Sequence, residues 1–188
     1  QASPITKQLA EHPEVKLVDY TGGNEFGNYV EGLDKTVFTE KSGINSVIID
    51  SVQDLKAVAQ NIAFSISLYS GQMCTAPQNI YITEKVKITE EEVSFDEVSE
   101  AIVKAVEGVI NHPKMGAGAL GAVQNDGTLK RITKSTTSGK VLLEGKAINN
   151  NEFANARTQS PTIIATDPSD DSIHTECFGP LVYLIKTK

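Results

Sequence analysis

The sequence predicts an α/β protein, a three-layer α/β/α domain with a largely parallel sheet. Two observations predict it. Stretches with strand character alternate with stretches in which apolar residues recur every three or four positions. One strand stretch, Val47-Ile48-Ile49, is apolar at consecutive positions, as in a strand buried on both faces of a parallel sheet. The 188 residues are enough for a domain of ordinary size with a real core.

The elements follow in order. Ser3 and Pro4 open a short helix over residues 5–10, Ser at the cap and Pro in the first turn, and His12-Pro13 ends it. Residues 15–20 read as a strand. A glycine-rich turn, residues 21–27, follows, with a helix starting inside it and running to about Gly32. Residues 35–40 and 46–50 read as strands separated by a turn. Ser51 is placed to cap the central helix, with Asp54 three residues on in the capping-box position. Leu55, Val58, Ile62 and Ile66 give that helix one buried stripe.

The central helix runs into Tyr69-Ser70-Gly71-Gln72-Met73-Cys74-Thr75-Ala76-Pro77-Gln78, and a short strand over residues 79–83 leaves it. Residues 84–92, with three consecutive glutamates, read as a solvated loop with no site in it. Ser94 and Glu97 form a capping box for an amphipathic helix that ends near His112-Pro113. Residues 114–127 are polar and glycine-rich, 128–137 a short helix and 140–144 a strand. Residues 149–159 are loop-like, opening with three asparagines, and 161–166 are a strand with a turn to 171. Gly179-Pro180 is a turn before a terminal strand, residues 181–185, and Phe178 taken alone reads as core.

Composition narrows the function classes. Hydrophobic residues make up 39% and charged residues 22%, the profile of a soluble globular chain. The net charge of −7, with no basic run, argues against nucleic-acid binding. No apolar run approaches the roughly 20 residues of a membrane helix. Gln1-Ala2-Ser3-Pro4 begins no signal-peptide pattern, and the absence of an initial Met points to an excised or trimmed segment. Cys74 and Cys177 could form one bridge; nothing else suggests secretion, which favours reduced thiols in a cytoplasm. Two cysteines and three scattered histidines show no metal-ligand spacing, so no metal is expected.

Read for chemistry, Cys74 sits in a turn bracketed by Gly71 and Pro77, at the end of a rigid helix. A free thiol ionises near pH 8.5, so a nucleophilic role needs an activating base and an oxyanion stabiliser elsewhere. The plain alternative is a small buried hydrophobe. The strand–turn–helix around Gly22, Gly23 and Gly27 can cradle a phosphate, or it is an ordinary βα turn. Glu40 by itself is a strand-end surface carboxylate.

Gly71-Gln72-Met73-Cys74-Thr75-Ala76-Pro77-Gln78 resembles the nucleophile motif of the aldehyde dehydrogenase superfamily. Glu176-Cys177-Phe178-Gly179-Pro180 is similar to that family's Glu-x-Phe-Gly-Pro, and Thr21-Gly22-Gly23 with Gly27 to its Thr-Gly-Ser-x-x-x-Gly turn, Gly23 standing where serine is usual. Glu40-Lys41-Ser42-Gly43 resembles its Glu-Leu-Gly-Gly-Lys turn, keeping the glutamate and the last glycine. The resemblance implies that Cys74 is the nucleophile and Glu40 the general base. It implies that Thr21, Gly22, Gly23 and Gly27 lie against the pyrophosphate of NAD or NADP, and that Glu176 holds the nicotinamide ribose while Phe178 packs on its ring.

The resemblance further implies that residues 1–45 are the C-terminal remnant of the dinucleotide-binding domain and 46–188 a truncated catalytic domain. The oxyanion-hole asparagine would precede Gln1, and a strand used in homo-oligomerisation would follow Lys188. Within the superfamily the motifs look most like the group associated with phenylacetic acid degradation. That implies a small-molecule aldehyde substrate, a CoA-linked semialdehyde among the candidates, with no nucleic-acid or membrane partner. Three alternatives stay open: a CoA-acylating aldehyde dehydrogenase, a cysteine hydrolase or acyltransferase drawing on His12, His112 or His174, and a non-catalytic α/β domain.

Overall fold

The computed structural model describes residues 4–113, 116–149 and 153–188. The expected Ser3 cap, and parts of the loops expected at 114–127 and 149–159, lie outside the described residues. The chain divides into two compact units, Gln1–Gly43 and Ile44–Lys188.

The first unit holds α1 (Pro4–Glu11), β1 (Leu17–Thr21), α2 (Asn24–Glu31) and β2 (Thr36–Glu40). The α2 crossover makes β1 and β2 parallel, in register from Leu17 opposite Thr36 to Thr21 opposite Glu40. Burial alternates along both strands. Val18, Tyr20, Val37 and Thr39 share the half-buried face, while Leu17 and Phe38 stand 52% and 59% exposed on the other. The Lys35 ammonium donates to the Ala10 and His12 carbonyls at 2.6 and 2.7 Å, which closes the C-terminal end of α1.

The second unit holds β3 (Asn45–Val52), α3 (Leu55–Ser67), β4 (Pro77–Ile88), β5 (Glu91–Ser94), α4 (Phe95–Ile110), α5 (Gly116–Ala119), α6 (Asp126–Ser135), β6 (Lys140–Leu143), β7 (Thr162–Thr166) and β8 (Leu181–Thr187). The sheet runs β3-β4-β8-β7-β6, with β5 hydrogen-bonded to β4. Pairing is parallel from β3 through β7 and antiparallel at β6 and β5.

The pleat sends alternate residues to opposite faces. Ile80 and Ile82 of β4, Ile163 of β7, and Val182 and Leu184 of β8 meet Ile62 and Ile66 of α3 and Val98 and Ile102 of α4. Ile164 of β7, with Leu181, Tyr183 and Ile185 of β8, meets Ile132 of α6 and Ile173 on the opposite face. Helix, sheet and helix therefore form the three layers the sequence predicts.

Four expectations are corrected. Ser51 does not cap the central helix: it lies in β3, and the helix begins one turn later, where the Asp54 carboxylate accepts the Ala57 N–H at 3.0 Å. Ile48 is not buried on a second face but is 77% exposed, because β3 is the edge strand and only its Val47/Ile49 face meets α3 and α4. Residues 84–92 are not a loop: β4 continues to Ile88 and turns into β5. Fully buried Val86 anchors the extension, and the glutamates lie exposed at the tip of the hairpin, Glu92 paired with Lys85 at 3.3 Å. The last is Phe178, 38% exposed rather than in the core. The Ser94/Glu97 capping box forms as expected.

Among the described residues no helix is long and apolar enough to cross a membrane. Truncating Ile80, fully buried at the centre of the larger cluster, to Ala is expected to cost about 2–5 kcal/mol. Urea unfolding of this chain measures it as a lower midpoint at unchanged slope.

Candidate active site

Cys74 and Phe178 each stand five residues ahead of a strand residue, Asn79 and Tyr183, and those two are register partners in the parallel β4–β8 pair. The loops leading into the two strands therefore arrive at the same end of the sheet, where both strands begin. Gly71 and Gly179 make their contact: a Cβ on Gly71 would lie 2.7 Å from the Gly179 carbonyl oxygen, and one on Gly179 would lie 2.5 Å from a methyl of Thr128.

The Cys74 loop is strained and clamped. After α3 the chain passes through three successive left-handed residues, Tyr69, Ser70 and Gly71, at φ 50°, 55° and 66°. Such a conformation at a non-glycine residue costs on the order of 1–3 kcal/mol and persists only where the surroundings over-determine it. Here Ser70, fully buried, shares its hydroxyl proton between the carbonyls of Gly121 at 2.8 Å and Gln159 at 3.1 Å. The Gln72 amide nitrogen donates to the carbonyls of Tyr69 and Ala122 at 3.1 and 2.9 Å, and its oxygen accepts the Gln124 N–H at 3.0 Å. Asn45, at the start of β3, donates to the Cys74 carbonyl and, at 3.3 Å, to that of Ala76. The result is a free, exposed Cys74 on a loop whose backbone is held from several sides. That exposure removes the small-buried-hydrophobe reading.

Glu176 and Phe178 lie on the neighbouring loop. Gln78 and Asn79, both buried at the head of β4, hold it from one side: Gln78 bonds the Thr175 carbonyl and the Cys177 N–H, and Asn79 the Ile173 carbonyl. Arg131 of α6 donates to the Cys177 carbonyl at 3.1 Å from the other. Glu176 is half-buried, and Phe178, at φ 45°, presents its ring to solvent. Cys177 is buried and free, and burial pushes its thiol up to about 11 against the pull of the nearby Arg131 guanidinium.

In the first unit the structure groups the glycine turn with Glu40. Thr21 is the register partner of Glu40, and the Gly22 N–H donates to the Glu40 carbonyl at 3.0 Å. Glu40 ends β2 with an exposed side chain. Gly23 caps α2 without a side-chain hydrogen bond, and the space around its Cα is open. The Gly27 Cα is packed against Tyr20 and the Lys41 stem.

Sequence reasoning did not assign Asn45, Ser70, Gln78, Asn79 or Arg131 a role. One signal for two of them was present: Gln78-Asn79 is a polar pair opening an otherwise apolar strand, and buried amides need partners. An apolar cleft of about 770 Å³ between α3 and α4, lined by Leu55, Ala59, Phe64, Ala105 and Val109, contains none of the site residues.

Maleimide at pH 8 is expected to label Cys74 and spare Cys177 in the folded chain, read by peptide mass spectrometry. The unfolded Cys177 thiol ionises near 9 and the folded one near 11, so its contribution to stability is complete below pH 9 and is lost as pH rises through 11. The urea midpoint of the wild type should fall over that range more than that of Cys177→Ala.

A model of the aldehyde dehydrogenase family matches residues 1–188. The 1-pyrroline-5-carboxylate dehydrogenase 2 of Bacillus subtilis is 27% identical over 192 residues, 95% of this chain and 35% of that protein. Aldehyde dehydrogenase family 7 member B4 of Arabidopsis thaliana is 26% identical over 195 residues, 98% of this chain and 36% of that protein. Among solved structures, an NAD-dependent aldehyde dehydrogenase from Burkholderia multivorans superposes with a TM-score of 0.91 at 42% identity, covering 97% of this chain and 34% of that one. An NAD-dependent benzaldehyde dehydrogenase from Corynebacterium glutamicum shares the fold, with a TM-score of 0.76 at 24% identity over 99% of this chain and 40% of that one. The chain thus spans about 35% of the length of the curated relatives it matches.

Proposed function

The chain belongs to the aldehyde dehydrogenase family, and from that premise we propose that it supplies the nucleophile, base and ribose-binding residues of an enzyme oxidising an aldehyde to a carboxylic acid with NAD or NADP. The activity is proposed for the full-length polypeptide, since the chain spans about 35% of its relatives' length. The observation that carries the reading is the exposed thiol of Cys74 on a clamped loop, at the end of the sheet where the loop of Glu176 and Phe178 also arrives.

Two features fit a dinucleotide. The N-terminus of α2 has no side-chain cap and an open Gly23, which suits a phosphate. Phe178 holds an exposed aromatic face beside half-buried Glu176, which suits a ring and a diol. Thr21, Gly22, Gly23 and Gly27 would hold the pyrophosphate, Glu176 the ribose hydroxyls and Phe178 the nicotinamide. When bound, the nicotinamide supplies the hydride acceptor.

In the proposed chemistry the Cys74 thiolate attacks the aldehyde carbon, forming a C–S bond and an oxyanion. The Cys74 backbone N–H is the oxyanion donor that this chain provides. Loss of hydride leaves an acyl thioester on Cys74. The Glu40 carboxylate takes a proton from water as its oxygen attacks the thioester carbon; the C–S bond breaks, and acid and thiolate are released.

The narrower substrate is proposed from the motifs: an aldehyde of aromatic-acid breakdown, a CoA-linked semialdehyde among the candidates. A second reading, in which the substrate is 1-pyrroline-5-carboxylate, is favoured by the names of several relatives. Full-length assembly into a homo-oligomer is also proposed.

In the full-length polypeptide Cys74→Ala should lower turnover by at least about a thousandfold, read as nicotinamide absorbance against a panel of both substrate types. Glu40→Gln should keep an initial burst of reduced cofactor and slow the steady state by about a hundredfold or more. A normal steady-state rate would remove Glu40 as the base.

A further inference from the structure

Gln78 lies four residues past Cys74, at the head of β4, and is 7% exposed. Its Nε2 donates to the Thr175 carbonyl at 3.0 Å, and its Oε1 accepts the Cys177 N–H at 2.7 Å. Both partners are backbone groups of fixed polarity, so the orientation of the amide is dictated. They flank Glu176. In a parallel sheet, one residue of a strand meets its neighbour in this way, accepting from the residue after its register partner and donating to the residue before it. The Gln78 side chain thus stands in for a strand residue and holds residues 175–177 as if Glu176 were in register with it. Thr175 is correspondingly extended, at φ −119° and ψ 123°.

The bracket is reinforced by neighbours. Asn79 donates to the Ile173 carbonyl at 2.9 Å, and Arg131 donates to the Cys177 carbonyl at 3.1 Å. Immediately beyond, Phe178 adopts its left-handed conformation. A loop fixed this closely does not choose its side-chain directions freely.

We propose that Gln78 is a positioning residue. It fixes the direction of Glu176 and ties the cofactor-facing loop to the loop carrying Cys74, so that the grip on the cofactor is set by the strand the nucleophile leads into. The inference rests on the assignment of Glu176 and Phe178 to the nicotinamide riboside. It goes beyond that assignment by giving a role to a residue that touches neither substrate nor cofactor.

The test uses Gln78→Ala and Gln78→Glu, the kinetics in the full-length polypeptide and amide exchange also in this chain. Gln78→Ala removes two buried hydrogen bonds, and KM for the nicotinamide cofactor should rise about tenfold while kcat and KM for the aldehyde move less than about threefold. Exchange of the Cys177 amide should accelerate by about tenfold or more. Gln78→Glu keeps the acceptor for the Cys177 N–H. Its second oxygen can donate to the Thr175 carbonyl only when protonated and repels it when ionised. Cofactor KM of Gln78→Glu should therefore approach wild type at low pH and climb toward the Ala value as pH rises from about 5.5 to 8.5, since burial raises a carboxyl pKa.

A fall in kcat with cofactor KM unchanged, or a Gln78→Glu profile parallel to wild type, overturns the proposal. Wild-type polypeptide with no nicotinamide-linked aldehyde oxidation would defeat the reading of the reaction instead. The exchange measurement then still decides the bracket: unaltered Cys177 exchange in Gln78→Ala refutes it, and faster exchange upholds it.

Discussion

Parallel pairing of β4 with β8 is the constraint on which the candidate site depends. Its register, Asn79 against Tyr183, is fixed by the alternation of both strands between two apolar clusters. A slip of β8 by one residue would send Tyr183 and Ile185 into the cluster under α3 and α4 and Val182 and Leu184 to the α6 side, misfitting two close-packed cores at once. Because that register is costly to alter, the loops entering the two strands meet at one end of the sheet. The loops that carry Cys74 and the Glu176–Phe178 segment are neighbours for that reason. In open parallel sheets ligands usually gather at the carboxyl ends of strands. Here the second unit's site residues lie instead on loops entering the amino ends of β4 and β8.

Strain and hydrogen bonding are matched on both loops. Tyr69, Ser70 and Phe178 hold left-handed backbone without being glycine, and each lies where side-chain amides, a hydroxyl or a guanidinium bond the adjacent backbone. The loops sit beyond the ladder, so their backbone groups must find partners among side chains. Asn45, Gln72, Gln78 and Asn79 supply those bonds, and as neutral amides they do so without burying charge. Gly71 and Gly179 are required for a different reason: their backbones approach so closely that a side chain would displace the other loop or α6.

The two cysteines illustrate how position governs a thiol. Cys74 is exposed on the clamped loop, whereas Cys177 packs with Ile132, Ile164 and Tyr183 and behaves as a small apolar group whose ionisation burial opposes. Cys177 nevertheless takes part in the site through its backbone, since its N–H and carbonyl are the groups that Gln78 and Arg131 hold.

By itself the sequence determined the α/β class, the order of the helices and the existence of most strands, because apolar period and capping residues are local signals. Ser94 with Glu97 and the glycine turn into α2 were legible for that reason. It also determined the family through the residues around Cys74 and Glu176. Only the tertiary structure decided which signals prevailed where two competed. Asp54 rather than Ser51 caps α3 because pairing with β4 keeps Ser51 in β3. Glu91 and Glu92 sit in a strand because buried Val86 extends β4 and β5 pairs with it. Ile48 is exposed because its strand is an edge. The bracket of Gln78 around Glu176 joins residues 99 apart in sequence. A local pattern carries no trace of such a contact, which exists only once β8 has come to lie beside β4.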